Sequence, residues 1–416
     1  MFDIIIVGGG IAGLYAQYNI RKMSPETHVL LLEASSREHL GGRASNILFH
    51  GTSVVTGAGI GRKNKDKLLK ELMQDMNLPI HEFTTGHNFP RTMDSNHCDV
   101  KTIFMMLKKE YKVQSEKSSS VTHKTFKEFA MLFLGEQLYH QFIVCAGYTD
   151  YENEDVYDTL YNYGFEDNFS SYTGFSVPWK QLVENLAKTI GSQNIVTNTY
   201  VKKIKQNNEG YSIYAETPKE NVCYLCKKVI LATTIDSVLK LLPKESHPIY
   251  KQIHGQPFLR LYGKFSKKSA DIMAESTKSQ FLVVPGPLQK IIPMNTEKGI
   301  YMISYSDNKS ALSSKRYLKN TASNREHFCR LLEKALSLDK GSLELQSILS
   351  CYWDIGTHYY EPLSSTFHNR KEFIKTAQHP YPNMLVVGEM ISMNQGWTEG
   401  ALDSVDKVLN KRWILT

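Results

Sequence analysis

The chain has 416 residues, 41% of them hydrophobic and 22% charged, with a formal net charge of +7. That length supports a large buried core and more than one domain, and so slight a basic excess excludes the dense positive footprint of a nucleic-acid-binding protein. The opening MFDIIIVGGG has no basic leader and too short an apolar run for a signal peptide, no apolar stretch reaches a membrane span, and KRWILT carries no lipidation motif. The expectation is a cytoplasmic protein without a membrane span.

Residues 3–7 are a short β-branched run ending in glycines and read as a buried strand. Residues 11–20 follow as a helix and 28–33 as a second strand, a β-α-β unit of the size a dinucleotide fold uses. Between the first strand and the helix stands Gly8-x-Gly10-x-x-Gly13. Gly8 permits a tight turn, Gly10 lets backbone approach a pyrophosphate, and Gly13 lets helix and strand pack closely. The helix start at Ile11 and Ala12 then presents free N–H groups and a positive dipole end to phosphates. Glu33 ends the second strand, beside Ala34 and 20 residues beyond Gly13. A carboxylate there accepts both ribose hydroxyls of an adenosine and disfavours a 2′-phosphate.

Residues 64–76 suit an amphipathic helix with Leu68, Leu69, Leu72, Met73 and Met76 on one face. From 84 to 124 the chain is polar, includes Ser118, Ser119 and Ser120, and reads as an irregular excursion. Residues 125–164 read as helical and aromatic-rich, and 178–190 as a helix with Pro178 near its start. Strands are expected at 195–204, 211–215, 228–232, 260–265, 301–305 and 384–387, and helices at 325–336 and 400–409. The interrupted β and α alternation predicts an α/β fold that is discontinuous in sequence, with a Rossmann-type dinucleotide-binding part (1–80, 176–255 and 375–416) and an α+β part (81–175 and 256–374).

The six cysteines, Cys98, Cys145, Cys223, Cys226, Cys329 and Cys351, are scattered and read as reduced thiols. Cys223 and Cys226 form a lone C-x-x-C on an expected strand, and the histidines lack metal-site spacing, so no metal is expected. Residues 150–167 hold seven acids and no Lys or Arg. A solvated helix end is the simpler reading, and a lure for a polycationic amine the sharper one.

Two further glycine clusters separate FAD from NAD. They are Leu40-Gly41-Gly42-Arg43 and Gly57-Ala58-Gly59-Ile60-Gly61. With them the sequence resembles the flavin-containing amine oxidase family, which follows its ribose-binding Glu with a G-G-R motif. The resemblance resumes at Leu385-Val386-Val387-Gly388-Glu389 and at Gln395-Gly396-Trp397-Thr398-Glu399-Gly400-Ala401, and Val201-x-x-Ile204 stands where the family's adenine-contacting strand lies. A helix starting near Trp397 would aim its positive end at the flavin N1–C2=O edge.

The resemblance implies that the Rossmann-type part is the FAD-binding domain and the discontinuous α+β part the substrate-binding domain. It also implies an aromatic pair before the flavin, with Trp397 as one member and Tyr359 favoured over His358 and Tyr360 as the other. Thr357 stands near where some relatives carry a flavin-linking Cys, so non-covalent FAD is implied. The family commonly places a Lys five residues before a Phe, holding water at flavin N5. Here Arg260 fills that slot before Phe265, with Lys264 out of register. Arg keeps the charge but is fork-shaped, so it orients water or grips a substrate carboxylate, unless it is a surface or salt-bridged Arg.

The implied reaction is hydride transfer from a neutral small-molecule amine to the flavin, hydrolysis of the imine, and reoxidation by oxygen to hydrogen peroxide. The residues themselves supply no evident general base. Alternatives are a desaturase or protoporphyrinogen-type oxidase and, in another class, a non-catalytic FAD-binding structural or interaction protein.

Overall fold

The computed structural model describes residues 1–86, 89, 99–117 and 123–416. Ile4, Ile5, Ile6 and Val7 are buried on both faces, as a central parallel strand demands. Their strand, Phe2–Val7, runs parallel to Val29–Leu32 on one side and to Asn221–Leu231 on the other. Ile195–Val196 and Met384–Val386 extend this parallel layer outward at its two sides. The strands Tyr200–Asn207 and Gly210–Glu216 continue from the first half of Asn221–Leu231 as an antiparallel meander.

Alternation along the central strand separates two cores. Ile4 and Ile6 pack with apolar residues of the helices Ile11–Met23, Lys67–Asp75, Trp179–Ile190 and Thr398–Asp406. Ile5 and Val7 pack on the other side with the meander and the helix Ile235–Leu241. A second, five-stranded antiparallel sheet runs in the order Leu282–Val283, Lys290–Asn295, Ile300–Asp307, Ile253–Phe265, Leu345–Tyr360. The helices Val100–Lys117, Phe126–Ala146 and Val156–Tyr161 surround a separate aromatic core, where the Phe104 and Phe165 rings stack at 4.3 Å. The expected α/β class, with a Rossmann-like half and an α+β half, is the fold observed.

Four expectations need correction. The polar stretch 84–124 contains the 18-residue helix Val100–Lys117. Its buried Val100, Phe104, Leu107 and Tyr111 recur at helical spacing, but the lysines between them dilute the pattern. Ser118, Ser119, Ser120 and Cys98 lie outside the described residues. The expected strand 195–204 is broken by Asn198, whose φ of 52° turns the chain so that Asn198 and Thr199 donate to the carbonyls of Ser35 and Glu33. Cys145 is disulfide-bonded, whereas Cys223, Cys226, Cys329 and Cys351 are free thiols.

The acidic run is not a solvated helix end. Glu152, Glu154, Asp155 and Asp158 are buried. Arg370, far along the chain, donates to Asp158 at 2.6 Å and lies 3.6 Å from Asp155. Glu152 accepts from the Tyr139 hydroxyl and Glu154 from that of Thr159. No helix among the described residues is long and apolar enough to cross a membrane.

Candidate active site

A cavity of about 920 Å³ opens at the carboxyl ends of the parallel strands and is closed on its far side by the antiparallel sheet. The three N-terminal glycines meet three different steric demands. Gly8 has a φ of +109°, and a Cβ there would strike the Ala232 carbonyl. A Cβ on Gly13 would strike the Gly8 carbonyl, whereas one on Gly10 would meet nothing within 4 Å. The helix Ile11–Met23 begins with no side-chain cap and no acid in its first turn. Its leading N–H groups are therefore available where Gly10, Ile11 and Ala12 line the cavity.

Gly41, Gly42, Arg43, Gly57, Ala58, Gly59, Ile60, Gly388, Glu389, Trp397, Thr398 and Ala401 line the same cavity. Gly41 is tied to the first turn by its N–H, which donates to the Gly9 carbonyl at 2.8 Å. Gly8, Gly13, Glu33, Ala34 and Val201 are not part of that wall. Glu33 accepts from the N–H groups of Gly9 at 2.6 Å and Ser35 at 2.7 Å. A carboxylate has about four acceptor positions, so two remain for ribose hydroxyls. Val201 is buried at the start of Tyr200–Asn207, two residues beyond the Thr199 N–H that meets the Glu33 carbonyl.

The loop at 56–59 is held through its carbonyls by three side chains from separate elements. Trp179 Nε1 donates to Gly59 at 2.8 Å, Trp353 Nε1 to Thr56 at 2.9 Å and Arg260 Nε to Gly57 at 2.7 Å. Neither indole was singled out as a site residue from sequence. Only their position opposite a glycine loop, a tertiary fact, reveals the role.

Glu389 ties both ends of the chain together. Its carboxylate accepts from Arg43 at 2.7 Å, meets His358 Nδ1 at 2.6 Å and accepts from the Gly396 N–H at 3.1 Å. Burial alone would raise its pKa, but the adjacent His358 and Arg43 and these hydrogen bonds outweigh it and hold the carboxyl at about 2, against an ordinary 4.5. Glu399 caps another element in trans: it accepts from the N–H groups of Leu68 at 2.9 Å and Leu69 at 3.0 Å, at the start of Lys67–Asp75.

Trp397 precedes the helix Thr398–Asp406, whose start has no side-chain cap. The Arg62 guanidinium covers one face of its indole at 3.6 Å, while Arg62 itself is paired with Asp66 and Asp167. Arg260 is neither surface nor salt-bridged. It is 4% exposed, and no carboxylate among the described residues lies within ion-pair distance. The Tyr305 and Phe258 ring centroids lie 4.3 and 5.2 Å from its guanidinium carbon. Lys264, the out-of-register neighbour, instead donates to the Lys298 carbonyl.

Tyr359 does not reach the cavity wall; it lies over His254, across the strand pair, with ring centroids 5.2 Å apart. His358 is committed to Glu389, and the Tyr360 hydroxyl donates to the Ser392 carbonyl. Alternation along the strand instead brings Trp353, Ile355 and Thr357 to the cavity. Its other aromatic walls include Tyr148, Tyr172, Phe258 and Tyr305. Asp150 and Tyr163 also line it, although sequence placed Asp150 only within the acidic run.

The parallel sheet with its glycine turns, joined to an antiparallel sheet over a shared cavity, is a fold this chain shares with a solved putrescine oxidase. A family model described as an NAD(P)-binding Rossmann-like domain matches residues 6–76. The solved structure of a putrescine oxidase double mutant with redesigned cofactor binding superposes with a TM-score of 0.73, at 14% identity, covering 100% of this chain and 99% of that one. An uncharacterized protein of Acanthamoeba polyphaga mimivirus is 20% identical over 495 residues, covering 100% of this chain and 94% of that protein.

Proposed function

We propose that the protein is an FAD-dependent oxidoreductase of amine-oxidase type, acting on a small-molecule amine with oxygen as electron acceptor. One observation carries the reading: the N-terminal phosphate-binding turn, both additional glycine loops and the 388–401 segment border a single cavity. A nicotinamide site would need only the first of these. The uncrowded Gly10, the uncapped start of Ile11–Met23 and the unspent acceptor capacity of Glu33 fit a dinucleotide. The uncapped start of Thr398–Asp406, lining the cavity at Thr398 and Ala401, fits the electron-rich edge of a flavin. Thr357 offers no thiol for a covalent link.

When bound, FAD supplies the acceptor for a hydride from the carbon bearing the nitrogen. The chain's own groups do the rest. Arg260, Trp179 and Trp353 fix the glycine loop, and Trp397, Tyr305 and Trp353 provide flat walls that orient an amine and exclude water. Asp150 and Tyr163 give the cavity a polar end, which weighs against a wholly apolar desaturase substrate.

Anaerobic mixing of the FAD-loaded protein with monoamines, polyamines and amino acids tests the reading. Bleaching of the oxidised flavin band by at least one amine is expected, with hydrogen peroxide formed once air is admitted. Stoichiometric FAD that no amine bleaches would overturn it.

A further inference from the structure

One wall of the cavity gathers charge that hydride transfer does not use. The Tyr163 hydroxyl donates to the Asp150 carboxylate at 2.6 Å, and Gln256 Nε2 donates to the Asp150 main-chain carbonyl at 2.8 Å. Asp307, on Ile300–Asp307, is already committed to the Thr149 N–H and hydroxyl and to the Gln289 amide, at 2.6 to 3.2 Å. Asp150 is not: the Tyr163 bond is the one side-chain hydrogen bond to its carboxylate among the described residues. Close by, Lys290 is fully buried and its Nζ has no hydrogen-bond partner among the described residues. It sits over the ring of Tyr148 and 4.7 Å from the ring centroid of Tyr305, two tyrosines that line the cavity.

We propose that Asp150 receives the ammonium group of the substrate and takes one of its protons, so that the amine is neutral when its α C–H bond breaks. The step balances without electrons. R–CH2–NH3⁺ and the Asp150 carboxylate become R–CH2–NH2 and the Asp150 carboxylic acid, and the proton passes to cavity water when product leaves. Unspent acceptor capacity on a cavity-lining carboxylate is the geometric basis.

The surroundings suit the task. Burial and then the Asp307 charge raise Asp150 from 3.8 to about 7, against the lowering effects of the Tyr163 hydrogen bond and Lys290. A carboxylate there exchanges a proton near neutral pH. Burial lowers the pKa of Lys290, opposed by Asp307 and Asp150, so it offers Asp150 a weak counter-charge. Tyr148 and Tyr163 are held protonated by burial. Arg260, on Ile253–Phe265, two strands away in the sheet, is the remaining fixed charge facing Lys290.

The substrate class rests on the amine reading, so the test separates the two. The probe is tert-butylamine, whose ammonium has no α C–H to lose, bound to the FAD-loaded protein by calorimetry across pH. Affinity should rise about tenfold per pH unit up to about pH 7 and then level, as one proton leaves Asp150. Asp150→Asn, which keeps an acceptor for Tyr163, should lose that limb and bind at least about tenfold more weakly on the plateau. Lys290→Met should move the limb to higher pH, because Lys290 lowers the Asp150 pKa. No limb in the native protein, or a limb that survives Asp150→Asn, overturns the proposal. If Asp150→Asn fails to fold, a limb unmoved or lowered by Lys290→Met does the same. A limb present while no amine bleaches the flavin would sink the oxidase reading and the proton transfer with it, and leave Asp150 as an ammonium-binding carboxylate.

Discussion

At the turn between Phe2–Val7 and Ile11–Met23, the groups offered to a ligand are backbone N–H dipoles; at the wall carrying Asp150, Tyr163 and Arg260, they are ionisable side chains. The first region needs no partner charge and does not titrate, but it tolerates no extra atom at Gly8 or Gly13. The second depends on which protons are present. Cofactor retention should therefore answer to sterics and substrate handling to pH.

The largest effect expected from this contrast is at Gly13. In Gly13→Ala the new methyl meets the Gly8 backbone, which has no rotamer to yield. Overpacking costs about 1–3 kcal/mol even where side chains give way, so this variant should purify without stoichiometric FAD and with a lowered Tm. Full FAD content by absorbance and an unchanged Tm would break the steric account.

Next comes Glu389, where the cofactor region does carry a charge. A folded-state pKa of about 2 against 4.5 means its stabilisation is complete above about pH 4.5 and is lost as pH falls towards 2. The linkage amounts to about 3 kcal/mol. Glu389→Gln should lose about that much stability at neutral pH, leaving Arg43 and His358 without their carboxylate. Urea unfolding from pH 7 to 2 should also show a flatter acid limb in the variant; equal limbs would remove Glu389 as the link between the chain's two ends.

Glu399→Ala strips the cap from Lys67–Asp75 and should cost about 1–2 kcal/mol with the FAD spectrum preserved. Smallest of all, Tyr359→Phe should change stability by less than about 0.5 kcal/mol and leave amine turnover as it was, because its ring packs on His254 outside the cavity. A severalfold fall in turnover would restore Tyr359 to the substrate wall.

What sequence revealed follows the same division. Gly8, Gly10, Gly13 and Glu33 were legible because a β-α-β turn imposes its spacing within one local unit. The helix Val100–Lys117 was obscured because lysines outnumber its apolar stripe. The acidic run misled because its partner Arg370 is some 210 residues away, and composition cannot register a neutralising charge at that distance. Tyr359 was favoured over its neighbours by motif position, but strand register decides which of Thr357 to Tyr360 faces the cavity, and that is set by pairing with Ile253–Phe265. Arg260 was named from sequence; its hold on Gly57 and its lack of an acid partner were not.

The cavity wall has a consequence for synthesis on the ribosome. The first glycine turn is complete by residue 13, but Trp397 to Ala401, which close the same wall, are added almost 390 residues later. At ordinary elongation rates that interval is roughly 20 to 80 s. For nearly all of it the nascent chain has an open nucleotide turn and a sheet lacking the strand Met384–Val386. On the proposed FAD reading, loading of the cofactor is a late event, and a shortage of FAD would leave the first and last segments without a shared ligand to hold them together.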